Sequence, residues 1–280
     1  MIAFYGMGLL GGNFVRALRK RGEDVRVWNR SPGKAQALAD TGAVPCADPA
    51  DAARGATRVH LTLTDDAAVD EVLERARPGF APGVTIVDHS TCSPAGTAAR
   101  AARWAERGVA FQHAPVFMGP ANALAGTGLM LASGDRARFD ALEPALAAMT
   151  GKLVYVGPVA ERAAALKLLG NLFLMMFTAG VTESLALAKA LGVPLAEVAT
   201  LFEHFNPGTS LSARVARVGA GEFDKASWEL AMARKDARLM LEAAGGTLAV
   251  LPALAAEMDR WIAKGHAHDD WTVIGKDAVT

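Results

Sequence analysis

A glycine-rich segment near the N-terminus constrains the fold more than any other feature of this sequence. The segment G-M-G-L-L-G at residues 6–11 follows an apolar run, Ile2–Tyr5, that predicts a buried strand, and it leads into the helical spacing of Leu10–Arg21. Glycines at this spacing allow a tight turn, close approach of a ligand to the backbone, and close packing of helix on strand. Because a helix N-terminus presents unpaired N–H groups, the pattern favours binding of a dinucleotide pyrophosphate over an ordinary glycine-rich turn.

The first half of the chain alternates short apolar runs with alanine-rich helical segments. The predicted strands are Ile2–Tyr5, Asp24–Trp28, Arg58–Leu63, Val84–Asp88, Val109–Gln112, Gly128–Ala132 and Leu153–Val156. The predicted helices are Leu10–Arg21, Gly33–Thr41, Ala67–Ala76, Pro94–Arg107 and Arg136–Met149. This alternation favours βαβ units and a mostly parallel sheet covered on both faces.

The second half of the chain reads as helix alone. One long helix is predicted from Val159 to about Gly192, and shorter helices follow at about Leu195–Phe205, Ser210–Gly219, Trp228–Ala244 and Pro252–Gly265. We therefore predict an α/β fold in two parts. A Rossmann-like, doubly wound parallel domain that binds the dinucleotide spans residues 1–158. A long inter-domain helix joins it to an all-helical domain for substrate binding and dimerisation, residues 159–280.

Charge and composition exclude several classes of function. The 29 Lys and Arg balance the 29 Asp and Glu, which argues against nucleic-acid binding or a polybasic membrane anchor. Only Cys46 and Cys92 are present, with no Cys/His cluster, so neither a disulfide framework nor a metal site is expected. The first strand leaves no room for a signal peptide, and the apolar stretch between Lys167 and Glu183 is shorter than the ~20 residues of a membrane span. A soluble, cytoplasmic protein is expected.

The residues after the second strand bear on the choice of cofactor. Asn29-Arg30-Ser31 stands where an NAD enzyme usually has a carboxylate for the ribose 2′-hydroxyl. Arg30 can bind a 2′-phosphate, Asn29 and Ser31 can donate hydrogen bonds, and Lys34 lies one helical turn further on. The alternative is that Arg30 and Lys34 are solvated charges at a helix start. We predict that NADP(H) is preferred over NAD(H).

Further motifs follow in order along nearly the whole chain. They are L-T-L-T-D-D at 61–66, D-H-S-T-C-S-P at 88–94, H-A-P-V-F-M-G at 113–119, Lys167-x-x-x-Asn171, Lys235-Asp236 and a stretch at 269–274. In this set the sequence resembles the β-hydroxyacid dehydrogenase family, which includes 3-hydroxyisobutyrate dehydrogenases, tartronate semialdehyde reductases and glyoxylate/succinic semialdehyde reductases. The residues predicted to contact the cofactor, from the motifs and the resemblance together, are Gly6, Met7, Gly8, Leu9, Leu10, Gly11, Asn29, Arg30, Ser31, Lys34, Thr62, Leu63, Thr64, Thr91 and Lys235.

Lys167 and Asn171 are the predicted catalytic residues. Their spacing places both side chains on one face of the long helix, where two polar groups are costly unless something pairs with them. The resemblance implies that Lys167 is the catalytic acid/base and that Asn171 orients it or the substrate. The reaction implied is NADP(H)-dependent interconversion of a small β- or ω-hydroxyacid and its semialdehyde. The alternative for Lys167 is a lysine that extends along the helix to reach solvent.

The substrate motif departs from the family pattern D-A-P-V-S-G-G. Phe117-Met118-Gly119 replaces Ser-Gly-Gly, and His113 replaces the leading Asp. The predicted substrate contacts are Phe117, Met118, Gly119, Lys167 and Asn171. Because Phe117 has no hydrogen-bond donor for a substrate carboxylate, reduction of a more apolar ketone or an imine is an alternative function. A non-catalytic NADPH-binding protein is a further alternative.

The long apolar helix also bears on assembly. Its second face could be buried against another copy of the chain, and members of the resembled family are usually dimers or tetramers. We expect a homodimer or homotetramer acting on a small molecule, with no nucleic acid or membrane partner.

Overall fold

A parallel sheet forms the centre of the N-terminal part of the chain. The structure is a computed structural model that describes residues 1–279. Its first six strands are β1 (Ile2–Tyr5), β2 (Val25–Trp28), β3 (Val44–Pro45), β4 (Arg58–Leu61), β5 (Thr85–Asp88) and β6 (Ala110–His113). They are all parallel, in the order β3-β2-β1-β4-β5-β6. The order reverses between β1 and β4, and ligands of such sheets bind at the carboxyl ends of the strands beside this point.

Helices cover both faces of the sheet. They are α1 (Leu9–Lys20), α2 (Pro32–Gln36), α3 (Pro49–Ala53), α4 (Asp66–Ala76), α5 (Pro94–Glu106), α6 (Pro120–Ala125) and α7 (Arg136–Ala147), with 3₁₀ turns at Ala39–Thr41 and Arg77–Gly79. Asp65 and Ser93 cap α4 and α5 by accepting hydrogen bonds from Ala68 N and Gly96 N. The segment predicted as one helix, Gly33–Thr41, is instead the short α2 and a 3₁₀ turn, ended by Gly42 at φ 82°.

Three further strands form a separate sheet. β7 (Val116–Phe117) pairs antiparallel with β8 (Leu129–Ala132), which pairs parallel with β9 (Lys152–Tyr155). The strands predicted at Gly128–Ala132 and Leu153–Val156 therefore exist but do not extend the main sheet. Periodicity identifies a strand without identifying its partner, which explains the difference.

Two apolar clusters lie on the two faces of the main sheet. Phe4 packs with Phe14 and Val27 on one face, while Tyr5 packs with Leu61 and Trp104 on the other. Every residue of β1 is buried, as expected for a strand covered on both sides. Burial on both faces leaves the strand ends and the segments that follow them as the places where polar chemistry can be exposed.

The rest of the chain is helical, as predicted. The helices are α8 (Arg162–Ala190), α9 (Leu195–His204), α10 (Leu211–Ala220), α11 (Leu230–Ala244) and α12 (Leu251–Ala263), with 3₁₀ segments at Pro207–Ser210 and Trp271–Ala278. The chain divides into two compact units, Met1–Leu172 and Phe173–Thr280, so the division lies inside α8 rather than at residue 158.

The second unit has a core of its own. Trp261, Met258 and Phe223 are buried in it together with residues of α11 and the last 3₁₀ segment. Glu183 of α8 accepts hydrogen bonds from the N–H groups of Ala249 and Leu251 and thereby caps the start of α12. These backbone hydrogen bonds lower the pKa of Glu183.

The long helix α8 is unusually apolar on its exposed side. By length and composition it meets the criteria for a membrane span, with a mean hydropathy of 1.6 over its most apolar window. This differs from the expectation drawn from its charge-free stretch alone, because the helix as a whole has 29 residues. Only 11% of that window is buried. A helix that packs against another subunit meets the same criteria.

Candidate functional site

The glycine-rich segment forms a compact turn beneath the start of α1. Gly6 has φ +92°, and a Cβ placed there would lie 2.1 Å from the carbonyl oxygen of Thr62. A Cβ on Gly11 would lie 1.9 Å from the carbonyl oxygen of Gly6. Thr62 Oγ1 donates a hydrogen bond of 2.8 Å to that same Gly6 oxygen. Glycine is therefore required at both positions by the fold itself.

Gly8 differs from these two glycines because a Cβ there would meet no atom within 4 Å. It is the N-cap of α1, with extended backbone and no side chain to cap the helix. The first N–H groups of α1 are thus open to a ligand at the positive end of the helix. This bare cradle fits a dinucleotide pyrophosphate, for which the second glycine of such a motif leaves room.

A cleft of about 200 Å³ lies beside this turn and is lined by most of the residues predicted to contact the cofactor. Its lining includes Gly6, Gly8, Asn29, Arg30, Ser31, Lys34, Thr62, Leu63 and Thr64, together with Glu71 of α4. The Asn29 amide is engaged locally, since its Oδ1 accepts from Met7 N at 2.8 Å and its Nδ2 donates to Ser31 O at 2.9 Å. Asn29 therefore holds the glycine-rich turn against the loop after β2.

Arg30 and Lys34 bring positive charge to this cleft. Neither side chain has an ion-pair or hydrogen-bond partner within residues 1–279. Most other arginines around the sheet pair with carboxylates, as Arg100 does with Asp66 and Asp70. Two unpaired cations at the end of β2 provide the charge that binding an added phosphate requires.

The segments that leave β1, β4, β5 and β6 are joined at one edge of the sheet. Thr62 N donates to Tyr5 O, His89 N to Leu61 O, and Ala114 N to Asp88 O, each at 2.8–2.9 Å. Ser90 Oγ accepts from Leu63 N at 2.8 Å, which links the two loops nearest the glycine-rich turn. Thr91 follows in the same loop and is exposed.

Lys167 lies in the first unit, against the segment that follows β6. Its Nζ donates a hydrogen bond of 2.9 Å to Asn171 Oδ1 and lies 4.0 Å from the centre of the Phe117 ring. The residue is only 8% exposed, and within residues 1–279 no carboxylate forms an ion pair with it. Burial lowers the pKa of Lys167 from 10.5, because the charged form loses water without gaining an anion.

The wall around Lys167 contains few donors for an anionic ligand. Phe117 and Met118 are half-buried apolar side chains, and Met118 packs against the core. Gly119 N already donates to Asn122 Oδ1 at 2.9 Å. Of the predicted substrate residues, Phe117 and Asn171 contact the amine, and apolar groups stand where the family pattern has a serine and a glycine.

A family model fits this part of the chain. Residues 1–157 match the NAD-binding domain of 6-phosphogluconate dehydrogenase, a region that covers the glycine-rich turn and the whole parallel sheet. The chain belongs to this family. It is a 3-hydroxyisobutyrate dehydrogenase-like oxidoreductase with a Rossmann-type domain that binds a nicotinamide dinucleotide.

Known relatives extend the similarity to nearly the full length. The 3-sulfolactaldehyde reductase of Escherichia coli (strain K12) is 27% identical over 98% of this chain and 94% of that enzyme. The L-threonate dehydrogenase of Cupriavidus necator is 28% identical over 98% and 95%. The imine reductase of Myxococcus stipitatus, solved with NADP⁺, has a TM-score of 0.89 at 21% identity over 99% of both chains and shows the same fold.

Some predicted site residues of this family member lie outside the main cleft. Met7 and Leu9 line a neighbouring cavity of about 290 Å³ at the start of α1, and Leu10 packs against the core. Lys235 lies in the second unit and pairs with Asp236 at 2.7 Å. Sequence reasoning missed Ser90 and Gly170. The S-T pair of the motif at 88–94 was the available signal for Ser90, whereas no local pattern marks Gly170.

Proposed function

We propose that the chain is an NADP(H)-dependent oxidoreductase that interconverts a small β- or ω-hydroxyacid and its semialdehyde, with Lys167 as general acid/base. The observation that supports this most is the buried amine of Lys167, which is held by Asn171 and has no carboxylate partner among the described residues 1–279. An ammonium without a counter-ion can serve a reacting oxygen, whereas one in an ion pair is already neutralised.

The residues of the site have separable roles in this proposal. A bound nicotinamide supplies or accepts the hydride. Lys167 Nζ polarises the substrate carbonyl and transfers a proton to its oxygen in reduction, or receives the alcohol proton in oxidation. Asn171 Oδ1 accepts a hydrogen bond from the amine and thereby fixes its direction. Thr91, as a contact to the nicotinamide half, and Lys235, as a cofactor contact, remain proposals that the resemblance supports.

A substrate panel tests the reaction class. With NADPH as the reductant, we expect reduction of semialdehydes such as succinic semialdehyde, measured by loss of nicotinamide absorbance and by identification of the alcohol. A second candidate, reduction of an apolar ketone or an imine, is favoured by the apolar ring of Phe117 beside Lys167. Cyclohexanone and a cyclic imine in the same panel separate the two. Tight binding of NADPH with no turnover of any compound would instead support the non-catalytic alternative.

The preference for NADP(H) rests on Arg30 and Lys34. Changing both to alanine removes two unpaired cations from the cleft, so kcat/KM with NADPH should fall by at least about 10- to 100-fold, since even one hydrogen bond to a charged group contributes ~1.5–3 kcal/mol. The value with NADH should change little. Steady-state kinetics with both cofactors measure this, and Arg21→Ala, at an exposed arginine at the C-terminal end of α1, is the control. A higher kcat/KM with NADH in the unaltered protein would refute the preference.

The exposed face of α8 supports a homodimer or homotetramer. Leu169, Leu172, Met175 and Phe177 are each more than half exposed on this helix. Burying such side chains contributes ~25 cal/mol per Å², so we expect a second copy of the chain to cover them, in the cytoplasm and without detergent. Light scattering after gel filtration should give at least twice the chain mass of 29.2 kDa. Met175→Glu should shift the mass toward the monomer, and a monomeric unaltered protein would contradict the proposal.

A further inference from the structure

The ring of Phe117 lies in the space that a side chain at position 170 would enter. A Cβ on Gly170 would lie 2.4 Å from Phe117 Cζ and 2.6 Å from Cε1, distances at which carbon atoms overlap. The ring therefore lies directly against the backbone of α8. Lys167 projects from the same helix, about one turn beyond its start. The centre of the same ring is 4.0 Å from Lys167 Nζ.

With the ring in this position, the ammonium of Lys167 has one N–H left for a reacting oxygen. An ammonium has three N–H donors and no acceptor. One donates to Asn171 Oδ1, and the π face of Phe117 attracts the cation from a second direction. The third N–H is the one available to a reacting oxygen. A π face holds the cation and leaves its charge uncompensated, whereas a carboxylate partner would compensate that charge.

The same ring determines what can lie beside the reacting carbon. Phe117 has no side-chain donor, and Gly119 N is engaged with Asn122, so an anionic group at this wall would lose water without gaining a hydrogen bond from either residue. An apolar group at the wall would instead gain contact with the ring.

We propose that Phe117 is a positioning and specificity-determining residue. Its ring, admitted by Gly170, directs the Lys167 ammonium and selects carbonyl compounds whose reacting carbon has apolar neighbours, with any carboxylate placed further along the chain. This inference rests on the proposed function and narrows its substrate class from hydroxyacids in general to ω-semialdehydes and apolar aldehydes.

Kinetics with three aldehydes test the selectivity. For the unaltered enzyme we expect kcat/KM to decrease from butanal to succinic semialdehyde to glyoxylate, whose carboxylate adjoins the carbonyl. Phe117→Ser should raise the glyoxylate-to-butanal ratio by about 10-fold or more, because a hydroxyl can then bind the carboxylate. Phe117→Leu, which stays apolar, should leave the ratio near that of the unaltered enzyme. An unchanged ratio in Phe117→Ser would overturn the selectivity.

Positioning of the amine has a readout that needs no turnover. In protein labelled at the lysine Cε, the hydrogens of Lys167 should resonate upfield because they lie over an aromatic face, with Lys167→Arg used for assignment. Phe117→Leu should remove this shift, and Gly170→Ala should reduce it, because the added methyl group displaces the ring. A normal Lys167 shift in the unaltered protein would refute the placement of the ring.

A double-mutant cycle tests the dependence of the ring on Gly170. Gly170→Ala should lower the thermal midpoint in the presence of Phe117 but not in the Phe117→Ala background, where the methyl group meets no ring. Gly180→Ala is the matched control, because a Cβ at Gly180 of the same helix meets nothing within 4 Å. Additive effects of the two substitutions would contradict the packing.

The two proposals fail in different ways. If the unaltered enzyme reduces none of the aldehydes, the proposed function is wrong and the labelled lysine still reports on the ring. If it reduces them and Phe117→Ser changes neither their ranking nor the Lys167 resonance, only the inference about Phe117 is wrong.

Discussion

Replacing Lys167 by alanine should lower kcat for carbonyl reduction by ~10²–10⁴-fold, which corresponds to about 3–5 kcal/mol of barrier. The substitution removes the amine held against Phe117 and bound to Asn171, and within residues 1–279 no other cation is bonded to either side chain. The dissociation constant for NADPH should stay within about twofold, because Lys167 does not line the cleft beside the glycine-rich turn.

Single-turnover kinetics and fluorescence titration with NADPH measure the two quantities. Asn171→Ala should cost less than Lys167→Ala, since it removes only the acceptor that orients the amine. Lys189→Ala, at an exposed lysine on the same helix, is the control and should retain full activity. Turnover by Lys167→Ala at the rate of the unaltered enzyme would exclude this lysine from the reaction.

The pH dependence follows from the same group. Burial lowers the pKa of Lys167 from 10.5, and reduction requires the protonated amine. The reductive kcat should therefore be constant at low pH and fall as pH rises through this lowered pKa, while the oxidative kcat should rise over the same range. Lys167→Ala should abolish both transitions.

Alanine substitutions at two glycines of the N-terminal turn should distinguish a loss of folding stability from a loss of cofactor affinity. Gly11→Ala places a methyl group 1.9 Å from the Gly6 carbonyl oxygen, which the backbone can relieve only by moving. We expect a loss of about 3 kcal/mol in the free energy of unfolding, or a thermal midpoint lowered by about 6–12 °C. Gly8→Ala meets no protein atom and should leave the midpoint unchanged, yet raise the NADPH dissociation constant by about 100-fold.

Calorimetry of the free protein and titration with NADPH distinguish these outcomes. Gly12→Ala is the control within the same helix, where the nearest atom to a new Cβ is Arg16 Nη1 at 3.5 Å. Its midpoint should stay the same or rise, because alanine favours a helix interior over glycine by ~1 kcal/mol. If Gly8→Ala bound NADPH normally, the pyrophosphate would not lie on this turn.

Much of the fold could be predicted because its strands and helices are long enough to show periodicity. The strand, glycine-rich turn and helix at residues 2–20 follow directly from local pattern. The two-residue strands β3 and β7 and the short helices α3 and α6 have no period to detect and were missed. The separate sheet of β7, β8 and β9 was also missed, since strand pairing depends on contacts remote in sequence.

The residues of the candidate site were predictable where motifs, taken in their order along the chain, identify them. The structure brings Gly8, Arg30, Lys34 and Thr62 to one cleft, as the carboxyl edge of a parallel sheet requires. Their roles, and those of Lys167 and Asn171, remain predictions. The environment of Lys167 could not be derived from sequence, because the contact between Phe117 and Gly170 joins residues 53 positions apart with no shared pattern.

A Cβ at position 170 would overlap the Phe117 ring, so the residues that these two positions can hold depend on each other. With any larger residue at position 170, the ring of Phe117 has to move away from the helix backbone. Positions 117 and 170 therefore form one unit for redesign, and the residue chosen for either should be matched to the residue at the other.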